Sequence, residues 1–252
     1  MRDTALPDLS GTVALVTGAS GTIGRGIALR FADAGAAVAV HGHRNPATAL
    51  AAEIHAQGGA ALAVTADLTD PAACAGLIAE AASWTGRLDA LVNNAGIQPV
   101  QPLAGMTEAD WRTVLDTDLT SAFLCTQAAA GVMRGGSITH IASIEAGQPA
   151  AGHAHYSAAK AGLVMHARAA ALEYGRHGIR VNAVSPGLID RPGLADDWPS
   201  GVERWQAAAP LTRLGTPADV GNACVFLASR MASWITGHNL IVDGGVTAHP
   251  TW

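Results

Sequence analysis

The stretch ALVTGASGTIG, residues 14–24, decides the fold that we predict for this chain. Small apolar residues typical of a buried strand run into glycines at positions 18, 21 and 24, and a helical pattern follows. A strand, a glycine-rich turn and a helix N-terminus present backbone N–H groups to an anion, which predicts a phosphate site. The spacing of these glycines is G-x-x-G-x-x-G and not G-x-G-x-x-G. The loop alone therefore leaves an alternative open, a glycine-rich turn that binds no ligand.

The rest of the chain repeats this alternation of short strands and longer helices. Apolar, strand-like runs occur at 13–17, 36–40, 61–65, 88–93, 136–142, 179–184 and 239–245. Helical patterns occupy 23–34, 46–57, 71–84, 107–117, 118–133, 154–176 and 217–229. Strands that are apolar on both faces and separated by helices predict a doubly wound, Rossmann-type α/β fold, with helices on both faces of a parallel sheet. The 252 residues contain no linker or repeat, which predicts a single domain, 1–252, whose loosest segment is 190–216.

Composition limits the functions that the chain can have. Charged residues make up 14% and hydrophobic residues 49%, with a formal net charge of −5. The sequence has neither basic stripes nor a run of about 18 apolar residues, which predicts no nucleic-acid partner and no membrane span. Residues 1–11 lack an apolar signal region, and Cys74, Cys125 and Cys224 lack metal-ligand spacing. We therefore expect reduced thiols, no metal site and a cytoplasmic protein.

Two helices carry more apolar surface than a monomer needs. The stretches 118–133 and 155–175 are apolar on more than one face, whereas a helix that covers a sheet in a monomer has one polar face. We expect the excess face to pack against another copy of the chain, so that a charge at Ala129 or Ala169 disturbs assembly. A tightly buried internal helix is the alternative.

Further polar and glycine residues follow the strand ends, where a parallel sheet binds its ligands. Gly42 ends the second strand at the position where NAD-preferring folds place an acid, and His43 and Arg44 follow it. An arginine there can hold a 2′-phosphate, which predicts NADP(H) over NAD(H); a solvated loop arginine is the alternative. Asp67 follows the third strand, either to accept from an adenine amino group or to cap the helix that begins near Pro71.

A serine, a tyrosine and a lysine supply the candidate chemistry. Ser143 ends the fifth strand, and Tyr156 and Lys160 stand four residues apart in HYSAAK, on one face of a helix. The pKa of a free tyrosine is about 10, and a neighbouring ammonium favours the phenolate. We therefore expect Lys160 to move the pKa of Tyr156 towards the working pH, while Ser143 orients a substrate oxygen beside the phenol.

Taken together, these motifs resemble the short-chain dehydrogenases/reductases, in the compact single-domain branch similar to 3-oxoacyl-carrier-protein reductases. The resemblance covers residues 11–247 and rests on the loop at 17–24, Asp67, NNAG at 93–96, Ser143, YSAAK at 156–160, SPG at 185–187 and VDGG at 242–245. It implies reversible hydride transfer between a nicotinamide cofactor and a carbonyl or secondary alcohol. It implies that Tyr156 is the general acid or base, that Lys160 lowers its pKa and binds the nicotinamide ribose, and that Ser143 binds the substrate oxygen. It also implies a homotetramer with the two apolar helices at an interface.

The resemblance implies, in addition, which residues contact the ligands along the carboxyl ends of the strands. The cofactor residues are Gly18, Ser20, Gly21, Thr22, Ile23, Gly24, His43, Arg44, Asp67, Leu68, Asn93, Ala95, Gly96, Tyr156, Lys160, Pro186, Gly187 and Ile189. We expect the segment 190–216 to act as a lid that excludes water from the substrate. The candidate substrate contacts are Gln98, Glu145, Gln148, His153, Trp198 and Trp205. A small ketone, an acyl thioester and a polyol are all compatible with them.

Four positions depart from the family pattern. Thr22 stands where the middle glycine is usual, and Gly21 stands where many NADPH-dependent members carry a basic residue. Asp118 replaces the fourth catalytic residue, an asparagine of the proton relay, and Arg191 stands where a threonine often contacts the carboxamide. Asp118 can still accept from a water near Lys160, and a helix cap is its alternative role.

Two other functions stay open for the protein as a whole. One is a non-catalytic nucleotide-binding regulator, and the other is an epimerase or dehydratase of nucleotide sugars, which normally needs a larger substrate domain.

Overall fold

A seven-stranded parallel sheet runs through residues 6–44 and 46–248, the part of the chain that the computed structural model describes. The strands are β1 (Val13–Val16), β2 (Ala37–Gly42), β3 (Ala61–Thr65), β4 (Ala90–Asn93), β5 (Gly136–Ile141), β6 (Ile179–Pro186) and β7 (Asn239–Val242). Their order is β3-β2-β1-β4-β5-β6-β7, and each neighbouring pair is parallel. The winding direction reverses between β1 and β4, which places a ligand crevice above the carboxyl ends of these strands.

Helices cover both faces of the sheet, as the alternating pattern predicts. They are α1 (Thr22–Asp33), α2 (Thr48–Ala56), α3 (Pro71–Thr85), α4 (Glu108–Leu115), α5 (Ser121–Val132), α6 (Ala154–Tyr174), α7 (Leu194–Asp197), α8 (Pro199–Ala208) and α9 (Pro217–Ala228). Leu15 and Val16 are neighbours on β1 but belong to two different buried clusters, because successive side chains of a strand point to opposite faces. The doubly wound α/β prediction is confirmed.

Two segments differ from the predicted elements. The segment 190–216 contains α7 and α8, and Pro199 stands in the first turn of α8. A proline in that position starts a helix, although the same residue reads as a helix breaker in sequence. The helices predicted at 107–117 and 118–133 are joined by a π-helical turn, Asp116–Thr120, into one continuous helical run. Such turns are frequent at functional sites, and Asp118 lies in the middle of this one.

The three cysteines are buried thiols, as expected. Although Cys74 and Cys125 are far apart in sequence, the packing of α3 against α5 brings their thiols close enough to affect each other's pKa, while the Cys74 thiol donates to the Leu68 carbonyl at 3.3 Å. The proximity of the two thiols lowers the pKa of Cys74 and raises the pKa of Cys125, while burial raises the pKa of Cys224. Thiols with these surroundings behave as core residues.

The apolar faces of α5 and α6 divide between the core and the surface. Ala129 is completely buried against the sheet, so a charge there would enter the core of the subunit itself. The expectation that Ala129 faces a partner is therefore wrong, whereas Ala169 is exposed. The large apolar side chains exposed on these helices are Phe123, Val132, Met165 and Leu172. Among the helices of the described residues, none is both long enough and apolar enough to cross a bilayer.

Candidate active site

The glycines of the opening stretch have different structural roles. Gly18 has a φ of +62°, and a Cβ there would lie 2.9 Å from the Cα of Ala95. A Cβ on Gly24 would lie 2.3 Å from the Gly18 carbonyl oxygen, so neither position accepts a side chain without backbone movement. A Cβ on Gly21 would meet the same oxygen at 3.4 Å, an ordinary contact. The close packing therefore depends on Gly18 and Gly24, and the unusual spacing at Gly21 causes no clash.

The N-terminus of α1 fits the phosphates of a dinucleotide. Gly21 is the N-cap, and no side chain caps this helix within the described chain. Ser20, Gly21 and Thr22 are exposed, so the unpaired N–H groups of the first turn are accessible from the crevice. Those groups and the helix dipole favour an anion, which is the chemistry that a pyrophosphate requires.

His41, a residue that the sequence reasoning missed, holds the glycine loop in place. Its Nδ1 accepts from the Gly18 N–H at 3.1 Å, and its Nε2 lies 3.0 Å from the Ala66 carbonyl oxygen, to which it donates. The Ala19 N–H donates to the His41 carbonyl at 2.7 Å. Burial lowers the pKa of His41, so the ring is neutral when it makes these contacts. The sequence signal that could have identified His41 is its position inside an apolar strand, two residues before the exposed His43.

Thr17 and Asn94 join β1 to β4 beneath the crevice. Thr17 Oγ1 accepts from the N–H groups of Asn94 and Ala95 at 2.9 and 3.0 Å. The Asn94 amide donates to the carbonyl oxygens of Thr17 and Gly18 at 2.9 and 3.2 Å. Asn94 belongs to the NNAG motif but was not among the predicted cofactor residues, and its role in joining β1 to β4 follows from the adjacency of these strands.

Two predicted cofactor residues have side chains that lie away from the crevice. The Asn93 amide nitrogen is 3.1 Å from both Thr126 Oγ1 and His140 Nδ1, on the face covered by α5. Leu68 is buried in the cluster on the same face of the sheet. These two residues can reach a cofactor through their backbone groups, while their side chains build the core.

The loops after β2 and β3 place one acid near two basic side chains. His43 and Arg44 are exposed, and His43 Nδ1 lies 3.9 Å from Asp67 Oδ1. Asp67 accepts from the hydroxyl and the N–H of Thr69 at 2.7 and 3.0 Å, and these bonds, with smaller contributions from His43 and Arg44, lower the pKa of Asp67. The cap alternative for Asp67 is wrong, because Asp70 accepts from the first-turn N–H of α3.

Ser143, Tyr156 and Lys160 come together where β5 ends and α6 begins. Lys160 Nζ lies 5.3 Å from the centroid of the Tyr156 ring and donates to the Ile141 carbonyl oxygen at 3.0 Å. The Ser143 hydroxyl lies close enough to the Tyr156 phenol to lower its pKa, and it accepts from the Glu145 N–H at 3.1 Å. Ser143 and Lys160 are buried and Tyr156 is half-buried. The three side chains therefore form one site that combines a phenol, a hydroxyl and an ammonium.

The pKa of Tyr156 is shifted upward, which corrects the expected net decrease. Burial is the largest cause because it disfavours the phenolate, and the carboxylates of Asp118 and Glu145 act in the same direction. Lys160 and the Ser143 hydroxyl lower the pKa, as expected, but they do not outweigh burial. Tyr156 is therefore protonated at neutral pH, the form that donates a proton.

Asp118 contacts the lysine directly. Its Oδ2 lies 3.2 Å from Lys160 Nζ, and its Oδ1 accepts from the Ile97 N–H at 2.8 Å. Because that bond is to a different segment, the alternative role of Asp118 as a helix cap is wrong. Burial raises the pKa of Asp118, and the charge of Lys160 opposes this effect. A Cβ on Gly96 would lie 2.9 Å from Asp118 Oδ2, so Gly96 makes room for the carboxylate.

A polar cluster borders the tyrosine on the substrate side. Glu145 accepts from Gln98 Nε2 at 2.9 Å and from the Ser157 hydroxyl at 3.2 Å, and its Oε2 lies 3.0 Å from His153 Nδ1. The rings of His153 and Tyr156 meet edge to face with centroids 6.0 Å apart. Three of the predicted substrate residues therefore lie together, and Ser157 is an addition that the sequence reasoning missed.

The segment with α7 and α8 lies over the end of β6. A Cβ on Gly187 would lie 2.6 Å from the Trp205 indole, so this glycine lets the indole approach the strand end. Trp198 is partly exposed, and Arg191 forms an ion pair with Asp197 at 2.7 Å. Two predicted cofactor residues also stand here: Pro186 ends β6, and Ile189 pairs with Gly215. Gln148, a predicted substrate contact, is exposed.

Comparison with known proteins covers almost the whole chain. Residues 18–247 match a protein-family model described as enoyl-(acyl carrier protein) reductase. The chain is 40% identical over 238 residues to the (2S)-[(R)-hydroxy(phenyl)methyl]succinyl-CoA dehydrogenase subunit BbsD of Thauera aromatica, across 92% of this chain and 95% of that protein. It is 40% identical over 241 residues to the 3-oxoacyl-[acyl-carrier-protein] reductase FabG of Staphylococcus aureus, across 92% and 97%. A crystal structure of a short-chain type dehydrogenase/reductase from Mycobacterium marinum matches with a TM-score of 0.89 at 38% identity, across 96% and 98%.

Proposed function

Because this chain belongs to the short-chain dehydrogenase/reductase family and is an NAD(P)-dependent oxidoreductase of alcohol and carbonyl groups, we propose that Tyr156, Lys160 and Ser143 carry out its proton chemistry. The observation that supports these roles most directly is the shared site of the three side chains, with Ser143 and Lys160 buried, at the carboxyl edge of the sheet. The nicotinamide, when bound, supplies or accepts the hydride. The non-catalytic alternative finds no support in the relatives, which are named as reductases and dehydrogenases.

Each of the three side chains has one proposed task. In the reducing direction, Tyr156 donates its phenolic proton to the substrate oxygen. Ser143, which lies next to the same phenol, orients that oxygen. The ammonium of Lys160, which the Ile141 carbonyl holds in place, stabilises the phenolate that remains. In the oxidising direction the phenolate takes the proton from the alcohol.

The proposed cofactor is NADP(H), and NAD(H) is the alternative. His43 and Arg44 follow Gly42, so two basic residues, in place of the acid of NAD-preferring folds, stand at the end of β2, while Asp67 lies nearby in the loop after β3. A guanidinium binds a phosphate with charge-assisted hydrogen bonds. Gly21 supplies no second cation, so the preference depends on Arg44.

The proposed assembly is a homotetramer. The apolar side chains exposed on α5 and α6 support one interface. Three further exposed apolar side chains, Met231, Trp234 and Ile241, stand on the edge strand β7 or in the segment that precedes it. Two separate self-complementary faces generate a tetramer, whereas one generates a dimer. The proposed partner is a small carbonyl or alcohol substrate, and the proposed location is the cytoplasm, in keeping with three unpaired cysteines.

The role of Tyr156 is tested by removing its hydroxyl. The Tyr156→Phe variant keeps the ring and its packing, and we expect it to lower kcat by roughly 10²–10⁴-fold, the contribution of a positioned acid or base. Nicotinamide absorbance is followed with a panel of carbonyl compounds. Tyr174→Phe, at the end of α6, is the matched control and should retain the wild-type rate. Normal turnover of Tyr156→Phe would show that another group transfers the proton.

A further inference from the structure

Two buried polar atoms, one on the π-helical turn and one on α6, lack a hydrogen-bond partner among the described residues. They are Asp118 Oδ2 and His155 Nε2. Asp118 Oδ2 meets Lys160 Nζ as an ion pair at 3.2 Å, without the geometry of a hydrogen bond. His155 is completely buried and directly precedes Tyr156 on α6. Unpaired buried polar atoms are rare in native proteins, so each of these two requires a partner.

The contacts of His155 determine which ring nitrogen carries the proton. Nδ1 accepts from the backbone N–H of Tyr156 at 2.9 Å, and this bond satisfies one of the free N–H groups in the first turn of α6. Because Nδ1 is an acceptor, a neutral ring carries its hydrogen on Nε2. His155 Nε2 is therefore an unpaired donor, and Asp118 Oδ2 is an unpaired acceptor.

The two atoms belong to one buried region. Helix α6 packs against α4 and against the π-helical turn that contains Asp118. His155 lies near enough to affect the pKa of Asp118 and also that of Asp110 at the start of α4. The charged or titratable groups around the imidazole are thus Asp118 and Asp110, with Lys160 on the far side of the Asp118 carboxylate.

We propose that His155 is a positioning residue of the proton relay, and that one internal water accepts from His155 Nε2–H and donates to Asp118 Oδ2. An asparagine, which the family pattern places at position 118, both accepts and donates through its amide. Asp118 has only acceptor oxygens when it is ionised, and His155 supplies the donor that is missing. The water then fixes the carboxylate in the orientation that faces Lys160. This inference rests on the proposed roles of Tyr156 and Lys160.

Two substitutions separate this role from simple capping of α6. Glutamine places its amide nitrogen near the position of Nε2, so His155→Gln should retain most of kcat. Asparagine reproduces the Nδ1 side of the ring, so His155→Asn keeps the cap and loses the donor to the water. For His155→Asn we expect kcat to fall about tenfold, the upper range for a lost hydrogen bond between neutral groups. KM, NADPH binding and the melting temperature should stay close to wild type, while the pH profile of kcat shifts.

A second test places the His155→Asn substitution in a protein that already carries Asp118→Asn. In an Asp118→Asn protein the amide brings its own donor, so adding His155→Asn should lower kcat by less than about twofold, because coupled residues are non-additive. Equal losses in both backgrounds, or a larger loss for His155→Gln than for His155→Asn, would leave His155 with the capping role alone and overturn the proposal. The tautomer can also be measured without turnover, by ¹⁵N NMR of histidine-labelled wild-type protein. A proton on Nδ1 of His155 would contradict the proposal even if the roles of Tyr156 and Lys160 hold.

Discussion

Burial of the Tyr156 phenol determines how the two directions of the reaction depend on pH. Reduction needs the phenol and oxidation needs the phenolate. Since burial raises the pKa of Tyr156, the phenol persists above neutral pH. We expect kcat for reduction to stay level through neutral pH and to fall only in alkaline solution, and kcat for oxidation to rise over the same alkaline range.

One neighbouring carboxylate provides a check on this assignment. Asp118 is among the groups that raise the pKa of Tyr156, so Asp118→Asn should move the oxidation profile to lower pH. Rates are measured in both directions from about pH 6 to about pH 10, a range that brackets the pKa of a free tyrosine. A profile that moves to higher pH, or does not move, would show that Tyr156 is not the titrating group.

Arg44 is the residue on which the cofactor preference depends. Its contact with a 2′-phosphate should contribute about 1.5–3 kcal/mol, so Arg44→Ala should weaken NADPH binding by roughly 10- to 150-fold and leave NADH binding nearly unchanged. Fluorescence titration measures both affinities. Arg112→Ala, an exposed arginine paired with Glu108 on α4, is the control and should change neither. A similar loss for both cofactors, or a wild-type preference for NADH, argues against the NADP(H) assignment.

Residues in sequence motifs were predictable, and residues defined by tertiary contacts were not. The spacing of Tyr156 and Lys160 places them on one helical face whatever surrounds them. His41 and Asn94 act by joining strands that are adjacent only in the folded sheet. The sign of the Tyr156 pKa shift was missed for the same reason, because burial is a property of the whole environment.

At the scale of elements, apolar periodicity predicted every strand and the main helices. Periodicity shows that 107–133 is helical, but it does not report the extra residue of a π-helical turn. The family resemblance placed Asp118 near Lys160 through a water, whereas the direct contact at 3.2 Å could not be predicted. The helices α7 and α8 were missed because their Pro and Gly content resembles that of a loop, while Pro199 in fact starts a helix.

The glycine loop leads to a prediction about the turn between β1 and α1. Gly24→Ala would push a methyl group to 2.3 Å from the Gly18 carbonyl oxygen, so we expect the helix to shift, NADPH binding to weaken and the melting temperature to fall. Gly21→Ala, three residues away, meets the same oxygen at 3.4 Å and is the matched control. Circular dichroism melts and fluorescence titration compare the two. If Gly21→Ala were the more damaging change, the steric account of the spacing would be wrong.

At the scale of the whole molecule, the low charge content and the exposed apolar side chains have the same explanation. Charged residues make up only 14% of the chain, and they leave Met165 and Leu172 on α6 and Trp234 near β7 largely exposed to solvent. Single exposed apolar residues are common on monomers, but grouped ones mark interaction surfaces. In the proposed homotetramer, contacts between copies of the chain cover these side chains.

This view of the surface predicts the effect of a charge placed on each face. Met165 is 59% exposed in the subunit, so Met165→Glu should leave the folded subunit intact but introduce an unpaired charge into the α5–α6 interface. We expect light scattering to report dimers held by the face beside β7, and Trp234→Glu should leave dimers held by α5 and α6 instead. Ala129→Asp is the contrasting variant: it buries its charge within the subunit core and should unfold the protein rather than separate intact subunits. A wild-type protein that stays monomeric at micromolar concentration, or a Met165→Glu protein with unchanged mass, would show that α5 and α6 do not form the interface.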